Sequence, residues 1–151
     1  MPISFYTADI KNTLLAKPSL REWLHFAVSQ EGLKVGSISI IQCSNPYLLD
    51  LNIQYLQHDY FTDVITFPSQ SSPAVSGEIY ISVDQAKIQA KEHQHHIQKE
   101  MQLLVIHGVM HLCGYPDKTK AQAKIMREKE SNYMNLRPEK LLLVSRETYG
   151  K

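Results

Sequence analysis

The hydrophobic pattern of this chain changes period several times along its length. Ile3–Tyr6 alternates apolar and polar positions, as a short strand does. Leu20, Trp23, Leu24, Ala27 and Val28 then fall on one helical face. Ser19 with Glu22 forms a capping box that opens this helix, and Gly32 supplies its stop. Ser37–Gln42 reads as a strand with alternation at its start and a more buried end. Asn45-Pro46 follows as an N-cap and a first-turn proline, starting a helix that runs to about Leu56. Val64–Phe67 and Glu78–Ile81 read as two strands of a hairpin, joined by the polar loop Ser69–Ser76. Ser82 with Gln85 caps a helix, a further helix covers about Gln98–Cys113, and Thr119 with Gln122 caps another that Asn135–Pro138 ends.

This order predicts an α+β fold: a mixed sheet of about four strands packed with about five helices. The first strand-helix-strand unit predicts a parallel pair. A length of 151 residues, with no repeat or linker, predicts one domain spanning 1–151. Hydrophobic residues at 43% and charged residues at 21% suit a globular protein and argue against disorder. No apolar run approaches the roughly 20 residues of a membrane span, and Met1–Ser4 lacks the features of an export signal. The expected location is therefore the cytoplasm, with Cys43 and Cys113 reduced. A net charge of +1 neither demands nor excludes a nucleic-acid partner.

The chemistry concentrates in one helix. From Met101 to Leu112 eight of twelve positions are apolar and spread around the helix, which predicts burial on most sides. His107 and His111 interrupt that run, and four residues bring the second within about 40° of the first, one turn higher. The full pattern is His107-x-x-x-His111-x-x-Gly114-x-x-Asp117. Gly114 can turn the chain back in a left-handed conformation, Pro116 stiffens the turn, and Asp117 returns as a third ligand. Three protein ligands leave one vertex of a tetrahedral zinc open, the arrangement of a catalytic site, where the pKa of water falls toward about 7. Cys113, about 200° around the helix from His111, reads as core.

The segment is similar to the metzincin protease motif, His-Glu-x-x-His-x-x-Gly-x-x-His, except that Gly108 stands where those enzymes carry their general base. It resembles more closely the YbeY family of single-strand-specific metallo-endoribonucleases, whose signature is similar to His-Gly-x-x-His-x-x-Gly-Tyr-x-His. Leu51-Asn52 with Tyr55, Asp59, Thr62–Pro68 and Gly77–Ser82 resemble the other signature stretches of that family, in the same order. The resemblance implies a metalloprotease-like metal-binding helix and one Zn2+ held by His107, His111 and Asp117. It also implies cleavage of single-stranded RNA, with roles in 16S rRNA 3′-end maturation and ribosome quality control, and the small ribosomal subunit as a partner.

Two positions depart from the family pattern. Asp117 replaces a histidine, and Leu56 occupies the place of a site arginine that would stabilise phosphoryl charge. His58, two residues later, is a candidate catalytic substitute; the alternative reading is a solvated loop histidine. A non-catalytic ribosome-associated assembly factor with a structural metal, and a metzincin-related peptidase, are the alternative functions. Lys118, Lys120, Lys124, Arg127 and Lys129 read either as phosphate contacts or as a solvated helix face with Glu128 and Glu130. His93, His95 and His96, among Glu92, Gln94 and Gln98, read as an exposed helix end. Asp84 reads as a first-turn carboxylate favoured by the helix dipole. Tyr115 either donates a hydrogen bond at the site or packs.

Overall fold

The computed structural model describes residues 2–59, 62–70 and 73–148. Four strands form one mixed sheet: β1 (Ile3–Thr7), β2 (Val35–Cys43), β3 (Val64–Pro68) and β4 (Val75–Ser82), in the order β1-β2-β4-β3. β1 and β2 are parallel, as are β2 and β4, while β3 and β4 form the expected antiparallel hairpin. Among the described residues, six helices accompany the sheet: α1 (Lys17–Gln30), α2 (Asn45–Leu56), α3 (Val83–His93), α4 (Ile97–Leu112), α5 (Lys120–Met134) and α6 (Glu139–Val144).

Strand alternation divides the helices between two faces. Ile38, Ile40, Ile79 and Ile81 point into the main core, where they meet Leu20, Trp23 and Leu24 of α1 and Met101, Val105 and Val109 of α4. Cys43, Ile65, Phe67 and Tyr80 point the other way and pack under Leu48 and Leu51 of α2. α4 is the central helix of the main core, with α3 and α5 flanking it and β3 and β4 beneath. Ten of its sixteen residues are buried, so the burial predicted for Met101–Leu112 holds. At Gly108 the helix comes so close to the sheet that a Cβ would stand 2.6 Å from Ile79 Cγ2.

Several boundaries differ from the sequence expectation, each for a local reason. α1 begins at Lys17, so Ser19 sits inside the first turn rather than capping it; Pro18 needs no N–H partner there, and Ala16 precedes the helix in a left-handed conformation. Ser44, not Asn45, caps α2, its hydroxyl accepting from Tyr47 N–H. The Asn45 backbone N–H donates to Asp84 Oδ2 at 2.8 Å and its side-chain Oδ1 accepts from Ser82 Oγ, which ties α2 to the first turn of α3. Ser82 caps α3 as expected, but the Gln85 side chain faces Asn45 rather than closing a box. The Thr119–Gln122 box is complete.

β4 begins at Val75, inside the stretch read as a loop; residues 71 and 72 of that loop lie outside the described residues. Val75 is buried against β2, and Ser76 Oγ accepts from Ser37 N–H where the β2–β4 register shifts. α6 was not expected at all. It is a six-residue turn of helix, too short for a periodic signal, and Leu141 and Leu142 seat it on the core. No helix of the described residues is long and apolar enough to cross a membrane.

Candidate active site

α4 ends in a turn that builds the site. Cys113 closes the helix, and Gly114 takes φ +106. Tyr115 N–H then donates to Met110 O, and Gly114 N–H to His111 O. This paired C-terminal motif reverses the chain and needs a residue tolerant of positive φ. The reversal carries Asp117 back over the last turn of α4. Its Oδ2 lies 3.4 Å from His107 Nε2 and 3.4 Å from His111 Nε2. The two rings stand 4.6 Å apart and nearly perpendicular. One donor atom from each of the three residues lies within 4.8 Å of the others.

These separations bear on what the cluster can hold. Ligands about 2.1 Å from a tetrahedral ion are separated from one another by about 3.4 Å. Both measured nitrogen-to-oxygen distances match that edge. The three residues therefore fit a small tetrahedral dication with one vertex left over.

His107 is oriented from behind. Its Nδ1 hydrogen-bonds Glu130 of α5, a carboxylate only 14% exposed. A hydrogen bond at one ring nitrogen fixes the tautomer and aims the other nitrogen at its target. Burial disfavours charge on His107, but the Glu130 hydrogen bond and the charges of Glu130, Asp117 and Asp63 outweigh it and raise its pKa. His111 goes the other way: burial and the neighbouring His107 lower its pKa, against the pull of Asp117 and of a hydrogen bond to the Tyr115 backbone. The two imidazoles are thus differentiated by their surroundings, one backed by an acid and one not.

Glu31, at the C-terminal cap of α1, braces the returning loop. Its carboxylate accepts from Tyr115 Oη, Tyr133 Oη and Lys129 Nζ, the last at 3.1 Å. Burial pushes the Glu31 carboxyl up, but those three donors prevail and hold it below its ordinary value. Tyr115 therefore donates its hydrogen bond to a brace rather than into the site. Lys129 is likewise committed to Glu31, which removes it from the candidate phosphate contacts; Lys118, Lys120, Lys124 and Arg127 are exposed.

His111 stands between two hollows. One, of about 230 Å³, is lined by Asn52, Leu56, His58, Thr62, Val64, Ile65, Thr66 and His111. The other is formed by Thr66, Pro68, Gly114, Tyr115, Pro116, Asp117 and Lys118. β3, the edge strand, runs along both. His58 is exposed and lines the first hollow beside Leu56, so it shares the cleft with His111 without joining the cluster. Cys113 is half-buried against the core, and burial pushes its thiol up to about 11.

Sequence reasoning missed Glu130 and Glu31. A metal-type histidine needs a partner for its second nitrogen, and an acid on the following helix was the place to look. Glu130 was read only as part of a charged face. The expected exposed helix end at His93–Gln98 also needs correction. Gln98 is 3% exposed because its side chain accepts from Leu15 N–H and donates to Thr13 O, and His96 caps α4 by accepting from Gln98 N–H.

Fold and site together define an α+β protein with a candidate metal-binding cluster on a buried His-x-x-x-His helix beside an edge strand. The model of the family Endoribonuclease YbeY matches residues 5–137, and the chain belongs to that family. It is 37% identical to the endoribonuclease YbeY of Parabacteroides distasonis over 139 residues, covering 92% of this chain and 98% of the relative. It is 38% identical to that of Amoebophilus asiaticus, covering 87% and 90%. The solution structure of TM1509 from Thermotoga maritima superposes with a TM-score of 0.61 at 28% identity, covering 95% of this chain and 91% of that one.

Proposed function

We propose that this chain is a zinc-dependent endoribonuclease of the cytoplasm, a single domain that cleaves single-stranded RNA during ribosomal RNA maturation and quality control of the small subunit. The observation that carries the reading is the His107–His111–Asp117 cluster, whose two 3.4 Å separations match a tetrahedral edge. Family membership supplies the endoribonuclease activity. One zinc ion at this cluster would supply Lewis acidity toward a phosphoryl oxygen and make water more acidic at neutral pH. His107 and His111 would present Nε2 to it, Glu130 would hold the His107 tautomer, and Asp117 would add a carboxylate oxygen. The hollow lined by Asn52, Leu56, His58 and Thr66 would receive the chain next to the scissile phosphate, with His58 in its lining as a candidate for a positive or proton-carrying group.

The test is cleavage of a single-stranded RNA by the purified protein, with chelator and zinc add-back, compared with His107→Ala and His111→Ala. Activity should fall with chelator, return with zinc, and be lost in both variants. Full cleavage by a metal-free double variant sinks the proposal.

A second reading has one observation in its favour. Leu56 lines the cleft where a charge-stabilising guanidinium would serve the reaction, which suits a non-catalytic assembly factor whose metal is structural. Zinc retention without cleavage would select it. The peptidase reading is disfavoured, because Gly108 stands where those enzymes carry the glutamate that serves as general base.

A further inference from the structure

A second group of metal-type donors lies at the other end of α4. Glu100, seven residues before His107, is 1% exposed. Its Oε1 lies 3.0 Å from His93 Nδ1 and 3.3 Å from His95 Nδ1, and Oε2 accepts from Gln89 Nε2 at 3.3 Å. Among the described residues, no lysine or arginine pairs with it. A buried carboxylate is costly without a cationic partner, and the groups that face this one are two imidazoles.

The backbone is built to bring those imidazoles together. α3 ends at His93, Gln94 takes φ 57, Gln94 N–H donates to Lys91 O and His95 N–H donates to Ala90 O. This is the same paired motif that closes α4, here with glutamine in the left-handed position. It folds His95 back beside His93, with ring centroids 5.5 Å apart. His96 is taken by its capping role, which leaves His93 and His95 as the two that converge on Glu100. One donor atom from each of His93, His95 and Glu100 falls within 4.8 Å of the others. His93 is 48% exposed and His95 28%, so the cluster opens to solvent on the side away from the core.

We propose that His93, His95 and Glu100 form a second site, for a divalent first-row transition ion, separate from the His107 cluster. Two imidazole nitrogens and one carboxylate oxygen are a donor set suited to such ions, with Zn2+ the natural probe. Two helical turns, about 10.5 Å, separate Glu100 from His107, well beyond the roughly 3.5–4 Å of a two-metal centre. The sites are independent, and this one does not rest on the endoribonuclease reading. An ion here neutralises Glu100 and clasps the end of α3 to the start of the helix that carries His107 and His111.

The metal-stripped full-length chain is loaded with Zn2+, exchanged into metal-free buffer and measured for bound zinc. The wild type should hold two ions, H107A/H111A one, H93Q/H95Q one, and the combined variant none. The H93Q/H95Q changes fall on solvent-accessible side chains, and circular dichroism checks the fold. Co2+ added to H107A/H111A gives an independent readout: a visible ligand-field absorption that the combined variant lacks. Equal zinc content in H93Q/H95Q and wild type, or no Co2+ absorption in H107A/H111A, overturns the proposal. A single ion lost only in H107A/H111A defeats this site and leaves the nuclease reading intact; a single ion lost only in H93Q/H95Q does the reverse.

Discussion

Glu130 offers the sharpest test of how this site is held. It sits on α5, 23 residues from His107 in sequence, and its carboxylate meets His107 Nδ1 while only 14% exposed. A hydrogen bond to a charged, mostly buried group contributes about 1.5–3 kcal/mol. At about 1.4 kcal/mol per decade, its loss corresponds to roughly 10–100-fold in affinity for whatever His107 Nε2 binds. Glu130→Ala should therefore weaken zinc binding by that factor. Glu130→Gln keeps an oxygen to accept from Nδ1–H but loses the charge, and should fall between wild type and Glu130→Ala. The assay is competition with a chromophoric chelator at alkaline pH, where protons no longer compete for Nε2. RNA cleavage should be restored in both variants by raising free zinc, because Glu130 acts through His107. Wild-type zinc affinity in Glu130→Ala would refute the reasoning, since the hydrogen bond would then be a packing contact without effect on the ring.

Other outcomes follow from the same structure. Gly108→Ala gains about 1 kcal/mol of helix propensity, yet its Cβ would lie 2.6 Å from Ile79 Cγ2 on a fully buried side chain, and overpacking costs about 1–3 kcal/mol. Denaturant unfolding should show a net loss of stability, and a stabilised variant would contradict the close approach of α4 to β4. Leu56→Arg, at an exposed cleft position, should leave stability unchanged and raise RNA cleavage toward the roughly 10²-fold that one charge-stabilising donor supplies; an unchanged kcat would show that the cleft already meets that need. Burial pushes the Glu147 carboxyl up, but hydrogen bonds from Arg137, Ser145 and Lys99 bring it down from 4.5 to about 2. A depressed folded-state pKa means stability that is complete above about pH 4.5 and lost as pH falls toward 2. At about 1.36 kcal/mol per pH unit this amounts to at most about 3.4 kcal/mol, part of it screened by solvent. Urea unfolding across that range should lose this acid limb in Glu147→Gln, and parallel curves for the two proteins would contradict it.

Much of the fold could be read from the chain because local signals agreed with tertiary needs. All four strands were legible, the first two partly by alternation, the hairpin paired as expected, and Thr119 with Gln122 marked a helix start that packing left in place. Where local signals were misleading, a neighbour was responsible. Asn45 has the chemistry of a cap, yet its side-chain oxygen accepts from the Ser82 hydroxyl at the start of another helix, and Ser44 caps instead. The three ligand-type residues were legible because His107, His111, Gly114 and Asp117 lie within one turn-and-return of chain. Glu130, Glu31 and Glu100 were not, because each meets its partners through the packing of different helices. An acid on a charged helix carries no mark of which neighbour it will face.

α4 has a consequence beyond its chemistry. Its imidazoles are fixed by a hydrophobic interior that owes nothing to an ion, unlike a zinc finger, whose structure collapses when stripped. If the proposed zinc binds at His107, His111 and Asp117, removing it should leave a cooperative, folded apoprotein with its binding cage standing ready. On the proposed zinc-dependent reading, reloading would require diffusion alone, and zinc shortage would leave dormant rather than damaged molecules.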